Sequence, residues 1–118
     1  MLVKETIQTA TVSTSETTIF DATVKGGKTA WVTVANTGGS QALSAMTFYV
    51  KTHKDADFVA VATNTTALIP YISAGIANLA AAGSGILKIV VSAMYEIRIT
   101  AAVGANTTTT SVSYRCVD

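Results

Sequence analysis

Apolar and polar residues alternate with a period of two along most of this chain. Thr18, Phe20, Ala22 and Val24 fall on one side of a predicted strand, opposite Thr17, Ile19, Asp21 and Thr23. Gly26-Gly27 breaks that run. The segment TAWVTVAN, Thr29 to Asn36, resumes it with Val32 and Val34 on one face and Trp31 and Thr33 on the other. Asn36-Thr37-Gly38-Gly39 reads as a turn, because Gly and Asn tolerate positive φ. Leu43 to Thr52 places Met46, Phe48 and Val50 opposite Thr47, Tyr49 and Lys51. Phe58 to Thr63 predicts a short strand. Leu87, Ile89 and Val91 form a further face. Tyr95, Ile97, Ile99 and Ala101 form the next, alternating with Glu96, Arg98 and Thr100. After Gly104-Ala105-Asn106, a last strand over Thr107 to Val117 turns Val112, Tyr114 and Cys116 inward. Seven to eight short strands with turn signals between them predict an all-β antiparallel sandwich or barrel.

One stretch departs from this rhythm. Residues 66–84, TALIPYISAGIANLAAAGS, carry no charge, and Pro70 argues against a central strand. Ile72, Ile76 and Leu79-Ala80 stand at roughly helical spacing. Two readings fit: a short helix near 74–82, or an apolar crossover loop lying over one sheet. The N-terminal segment, Met1 to Val12, alternates but is weakly tied to the core pattern. It reads as an extended arm or edge strand within 1–14, able to pair with a neighbour's sheet edge.

Composition sharpens the picture. The 118 residues, expected to form a single domain over 1–118, include 20 Thr, 19 Ala and 13 Val. Charged residues make up 13%, against about 25% in ordinary soluble domains. Thr and Val suit a pleated, half-buried surface. A chain so poor in charge is expected to leave apolar surface for protein contacts. The net charge is +1 and the cations are scattered, so nucleic acid is not an expected partner. The chain opens without a leader-like apolar run, and the uncharged tract over 58–87 is broken by Asn, Thr, Ser, Gly and Pro. Neither a signal peptide nor a membrane span is expected.

Chemistry-bearing side chains are sparse. His53 is the single His, in the polar turn His53-Lys54-Asp55-Ala56-Asp57. His-x-Asp-x-Asp offers metal-competent donors, but nothing completes a site, so the segment reads as a solvated turn. No base–nucleophile pair is visible, and no two carboxylates are singled out for acid–base work. Neither enzyme activity, nor a cofactor, nor a resident metal is expected. Cys116 is the single Cys and reads as a buried thiol. The informative side chains are aromatic. Trp31 and Tyr49 fall on outward positions if Val32 and Phe48 are core. Three roles are open for Trp31: core residue, anchor of a protein interface, or stacking platform for a sugar. Tyr71, Ile72, Ile76 and Leu79 join Trp31 and Tyr49 as candidate interface residues.

The segments WVTVANTGGSQALSAMTFYVK and ILKIVVSAMYEIRITAAV resemble strands two and three, and five and six, of immunoglobulin-like sandwich modules. That resemblance makes Tyr95 a candidate tyrosine corner, whose hydroxyl bonds backbone upstream. In size, Thr/Ala/Val richness, low charge and lack of a catalytic set, the chain also resembles small β-rich accessory proteins of tailed-phage virions, of the head decoration or cement type. This implies a non-enzymatic homo-oligomeric subunit, made in the host cytoplasm and located in the virion. It would bind the major capsid protein or other virion proteins. A carbohydrate-binding or adhesive sandwich module of a tail or fibre is the second expectation. It requires Trp31 and Tyr49 on one exposed face.

Overall fold

A computed structural model describes residues 2–62 and 79–118. They form eight strands: β1 (Leu2–Val12), β2 (Thr17–Thr23), β3 (Thr29–Asn36), β4 (Leu43–Lys51), β5 (Val59–Ala62), β6 (Ser84–Val90), β7 (Glu96–Val103) and β8 (Thr108–Val117). The strands build two antiparallel four-stranded sheets, in the orders β1-β8-β3-β6 and β2-β7-β4-β5. Alternation accounts for the layering. Val32, Val34, Phe48, Leu87, Ile89, Ile97, Ile99, Val112 and Cys116 all turn into the space between the sheets and are fully buried. Strands β3, β4, β6, β7 and β8 thus bury one face against the other sheet, as a sandwich requires.

Strand order departs from the immunoglobulin-like expectation. In that plan the first two strands share a sheet. Here β1 and β2 lie in opposite sheets, and the pairs are nested: β1 with β8, β2 with β7, β3 with β6, β4 with β5. This is a long hairpin of four strand pairs wrapped into two sheets, the plan of a jelly roll. Of the described strand pairs that follow one another in sequence, only β4 and β5 are direct neighbours within a sheet.

Two bulges correct the predicted faces. In β2, Thr18 pairs with Thr100 and Phe20 with Ile99, so Ile19 is an extra residue. Ile19 and Phe20 are therefore both buried, where strict alternation would send one of them outward. In β4 the register skips between Ser44 and Thr47, and Ala45 takes a φ of 50°. That bulge lets Leu43 and Met46 reach the core from one strand despite their odd spacing. Both irregularities lie against the same part of β7, around Thr100.

No helix is present among the described residues. Leu79 forms an isolated bridge with Leu43, and residues 81 and 82 form a turn before β6. The rest of the predicted 74–82 helix, and most of the irregular tract over 66–84, lies outside the described residues. β1 is an edge strand, paired over its length with β8 of its own chain. Ala10 and Val12 at its end turn into the core, while Lys4 and Gln8 on the same face reach across to β2. Lys4 Nζ donates to Thr23 O at 2.7 Å. Gln8 donates to Asp21 O at 2.7 Å and accepts from Asp21 N at 3.0 Å. These bonds close the gap between the β1 and β2 edges, where main-chain groups would otherwise be open to pairing.

Candidate interaction surface

The two outer faces of the sandwich differ in character. On the β2-β7-β4-β5 sheet the outward polar side chains pair with one another, and the exposed large apolar residue is Val59 on the edge strand β5, at 64%. Arg98 donates to Asp21 Oδ2 from Nε at 2.9 Å and approaches it with Nη2 at 2.8 Å. Its guanidinium also lies 4.2 Å from the centre of the Phe58 ring. Lys51 Nζ is 3.7 Å from Glu96 and 5.2 Å from the same ring centre. Tyr49 donates to Glu16 Oε2 at 2.8 Å, and Thr100 donates to the same oxygen at 3.1 Å. The bond to Glu16 holds the Tyr49 phenol above its ordinary pKa, with burial and the Glu16 charge adding to the effect.

The β1-β8-β3-β6 sheet leaves large apolar groups in water. Ile7 is 68% exposed, Ile86 56% and Trp31 48%. Strand register arranges its outward side chains in rows. One row reads Glu5, Arg115, Trp31, Lys88 from β1 to β6. The next reads Ile7, Ser113, Thr33, Ile86. Small residues of β8 lie between the taller flanks, leaving a shallow recess of ≈ 270 Å³ lined by Ile7, Trp31, Thr33, Ser113 and Arg115 among others. Lys88 Nζ sits 5.5 Å from the Trp31 ring centre, a cation–π contact. Arg115 and Glu5 are 3.9 Å apart and solvent-exposed, a pairing that contributes little by itself.

These positions sort the candidate residues. Trp31 stands outward on the β1-β8-β3-β6 sheet and Tyr49 outward on the β2-β7-β4-β5 sheet. The two rings are on opposite sides of the sandwich and form no common stacking platform. Leu79 packs in the core cluster at 8% exposure, its carbonyl accepting from Leu43 N at 2.8 Å. Tyr71, Ile72 and Ile76 lie outside the described residues. Tyr95 is tied through its main chain: its amide donates to Lys51 O, and its carbonyl accepts from Val24 N and Lys25 N. It joins three loops at one end of the sandwich, beside an open recess of ≈ 460 Å³ that also holds Lys25, His53 and Lys54. His53 Nδ1 accepts from Asp55 N at 3.1 Å, and both side chains are exposed. Among the described residues no three His, Cys, Asp or Glu side chains gather as a metal group. No described helix is long and apolar enough to cross a membrane.

Sequence reasoning missed Ile7, Ile86, Glu5, Lys88 and Arg115 as members of the Trp31 surface. Their outward parity was readable strand by strand. Their adjacency depends on β1, β8, β3 and β6 being neighbours, which no local pattern states.

No protein-family model and no curated protein sequence matches this chain. In three dimensions it is similar to the SPBc2 prophage-derived protein YomS. The TM-score is 0.51 at 8% identity, over 97% of this chain and 97% of that one. A chain from Bacillus endospore appendages, described as a novel family of disulfide-linked pili, matches with a TM-score of 0.43 at 12% identity, over 98% of this chain and 88% of that one. The likeness to the prophage-derived protein is one of fold.

Proposed function

We propose that this chain is a non-enzymatic structural subunit of a phage-type virion. It binds the capsid surface, through the major capsid protein or another virion protein, and stabilises or decorates it by subunit contacts. The observation that carries this reading is the contrast between the two outer faces. One has its outward polar groups paired and exposes Val59 only at its β5 edge, and the other holds Trp31, Ile7 and Ile86 together in solvent beside charged neighbours. Aromatic residues flanked by Arg are the usual anchors of protein interfaces. The fold shared with a prophage-derived protein supports the same reading. Co-sedimentation of the purified chain with capsids tests it. Saturable binding that Trp31→Ser weakens is expected. A chain that leaves capsids untouched at every concentration overturns the proposal.

A further inference from the structure

The rows on the β1-β8-β3-β6 face are complementary to themselves. A two-fold axis lying in the plane of this face, parallel to the strands and midway between β8 and β3, reverses the order of each row. In the first row that sets Glu5 against Lys88 of a second copy, and Arg115 against its Trp31. In the second row it sets Ile7 against Ile86 and Ser113 against Thr33. Every charged group on these two rows then meets an opposite charge or an aromatic face. Every large aliphatic group meets another, and the small hydroxyl residues meet at the centre. Each of these contacts occurs twice, as an isologous interface requires.

We propose that this face is the dimerisation surface of the chain, its occupant a second copy packed sheet to sheet about that two-fold axis. The inference rests on the structural reading above and assigns the subunit contact of the Trp31 face to a second copy, so that Trp31→Ser weakens capsid binding through the loss of bivalency. Face-to-face sheets stand about 10 Å apart, a gap that outward Trp, Ile and Arg side chains from both copies fill. Four strands about 4.8 Å apart and some seven residues long give a footprint of about 450 Å² per copy. A stable interface of standard size buries about 800 Å² per partner. The dimer is therefore reversible, populated at high concentration or on a lattice that holds copies close.

Sedimentation of the full chain from micromolar to millimolar concentration tests this, with two sets of variants. Glu5→Lys and Lys88→Glu each place like charges opposite one another in the dimer, and each is expected to weaken it about tenfold. The double charge swap restores both pairs and the wild-type constant. In the second set, Ile7→Cys and Ile86→Cys are combined and treated with a short bismaleimide of about 8 Å reach, which spans thiols that point at each other across sheets about 10 Å apart. Within one chain these positions are separated by three strand spacings, about 14 Å, with side chains standing parallel and not aimed at each other, beyond the reach of that linker. A covalent dimer, absent from either single variant, is expected. The proposal is overturned by a chain that stays monomeric at millimolar concentration, by a dimer indifferent to either charge reversal, or by single variants that the swap does not rescue. A monomeric chain that still co-sediments with capsids would overturn the dimer and leave the structural reading standing.

Discussion

Thr108 donates a hydrogen bond from Oγ1 to Asn36 Oδ1 across 2.7 Å, with both side chains buried. The Asn36 amide group turns the other way, donating to Gln41 O at 2.7 Å and to Ala80 O at 3.1 Å. One side chain at the end of β3 thus ties together the β3–β4 loop, the segment before β6, and the first residue of β8. Gly38 packs so closely here that a Cβ on it would collide with the Thr108 hydroxyl. The cluster fastens one end of the sandwich, where strands remote in sequence must be held in register.

Asn36→Ala is expected to destabilise the fold by about 3 kcal/mol, because it removes three hydrogen bonds of about 1 kcal/mol each and leaves the buried Thr108 hydroxyl without its acceptor. Thr108→Val removes one bond and costs about 1 kcal/mol. The double variant should be less damaging than the two losses added together, since both break the same bond. Urea denaturation of the four proteins measures the coupling directly.

The inward set of most strands was legible because burial and alternation coincide: Val32 and Val34, Leu87 and Ile89, and Val112 and Cys116 are placed as the pattern predicts. β3 was predicted over the residues it occupies. The failures have physical causes. Ile19 and Ala45 are bulge residues, and a bulge arises from the fit of two strands to β7, which neither sequence encodes locally. The nested strand order is a matter of long-range pairing, and short-range turn chemistry was read instead as an immunoglobulin-like order. For the surface, Trp31 was found by parity alone. Its relation to Tyr49 could be settled only by knowing that β3 and β4 belong to different sheets.

Tyr114 is buried against Phe20, with ring centroids 5.2 Å apart, and its hydroxyl meets nothing better than the Cys116 thiol. Burial pushes the phenol far above its ordinary pKa. Removing a polar atom that lacks a good partner costs little. Tyr114→Phe is expected to leave stability unchanged within about 0.5 kcal/mol, or to raise it by up to about 1 kcal/mol. Thermal unfolding of the two proteins distinguishes this from the loss of 1 kcal/mol or more that a bonded hydroxyl would produce.

Gly27 lies beneath Cys116. A Cβ at that position would overlap the buried sulfur and press on Val24 O at 3.3 Å. Gly27→Ala is expected to cost about 2 kcal/mol through overpacking. Shrinking the thiol makes room, so the penalty of Gly27→Ala should be smaller by about 1 kcal/mol in a Cys116→Ala background. Equal penalties in the two backgrounds would place the strain in the backbone instead.

Glu96 lies on the outer face of β7 beside Asp21, and the two carboxyl groups share a proton-mediated contact. That hydrogen bond, then burial and the Asp21 charge, hold the Glu96 carboxyl above its ordinary value of 4.5, against the pull of Lys51 and Arg98. A carboxyl raised on folding binds its proton more tightly in the folded chain than in the unfolded one. Its contribution to stability is therefore present below the unfolded pKa and is lost as pH rises through the folded one. Glu96→Gln removes this term. The difference in unfolding free energy, wild type minus Glu96→Gln, is expected to fall as pH is raised from 4 through the region just above 4.5, and then to level off. Urea titrations of both proteins at matched ionic strength measure that difference. A rising difference across the same window would mean that attraction to Lys51 and Arg98 outweighs the Asp21 contact.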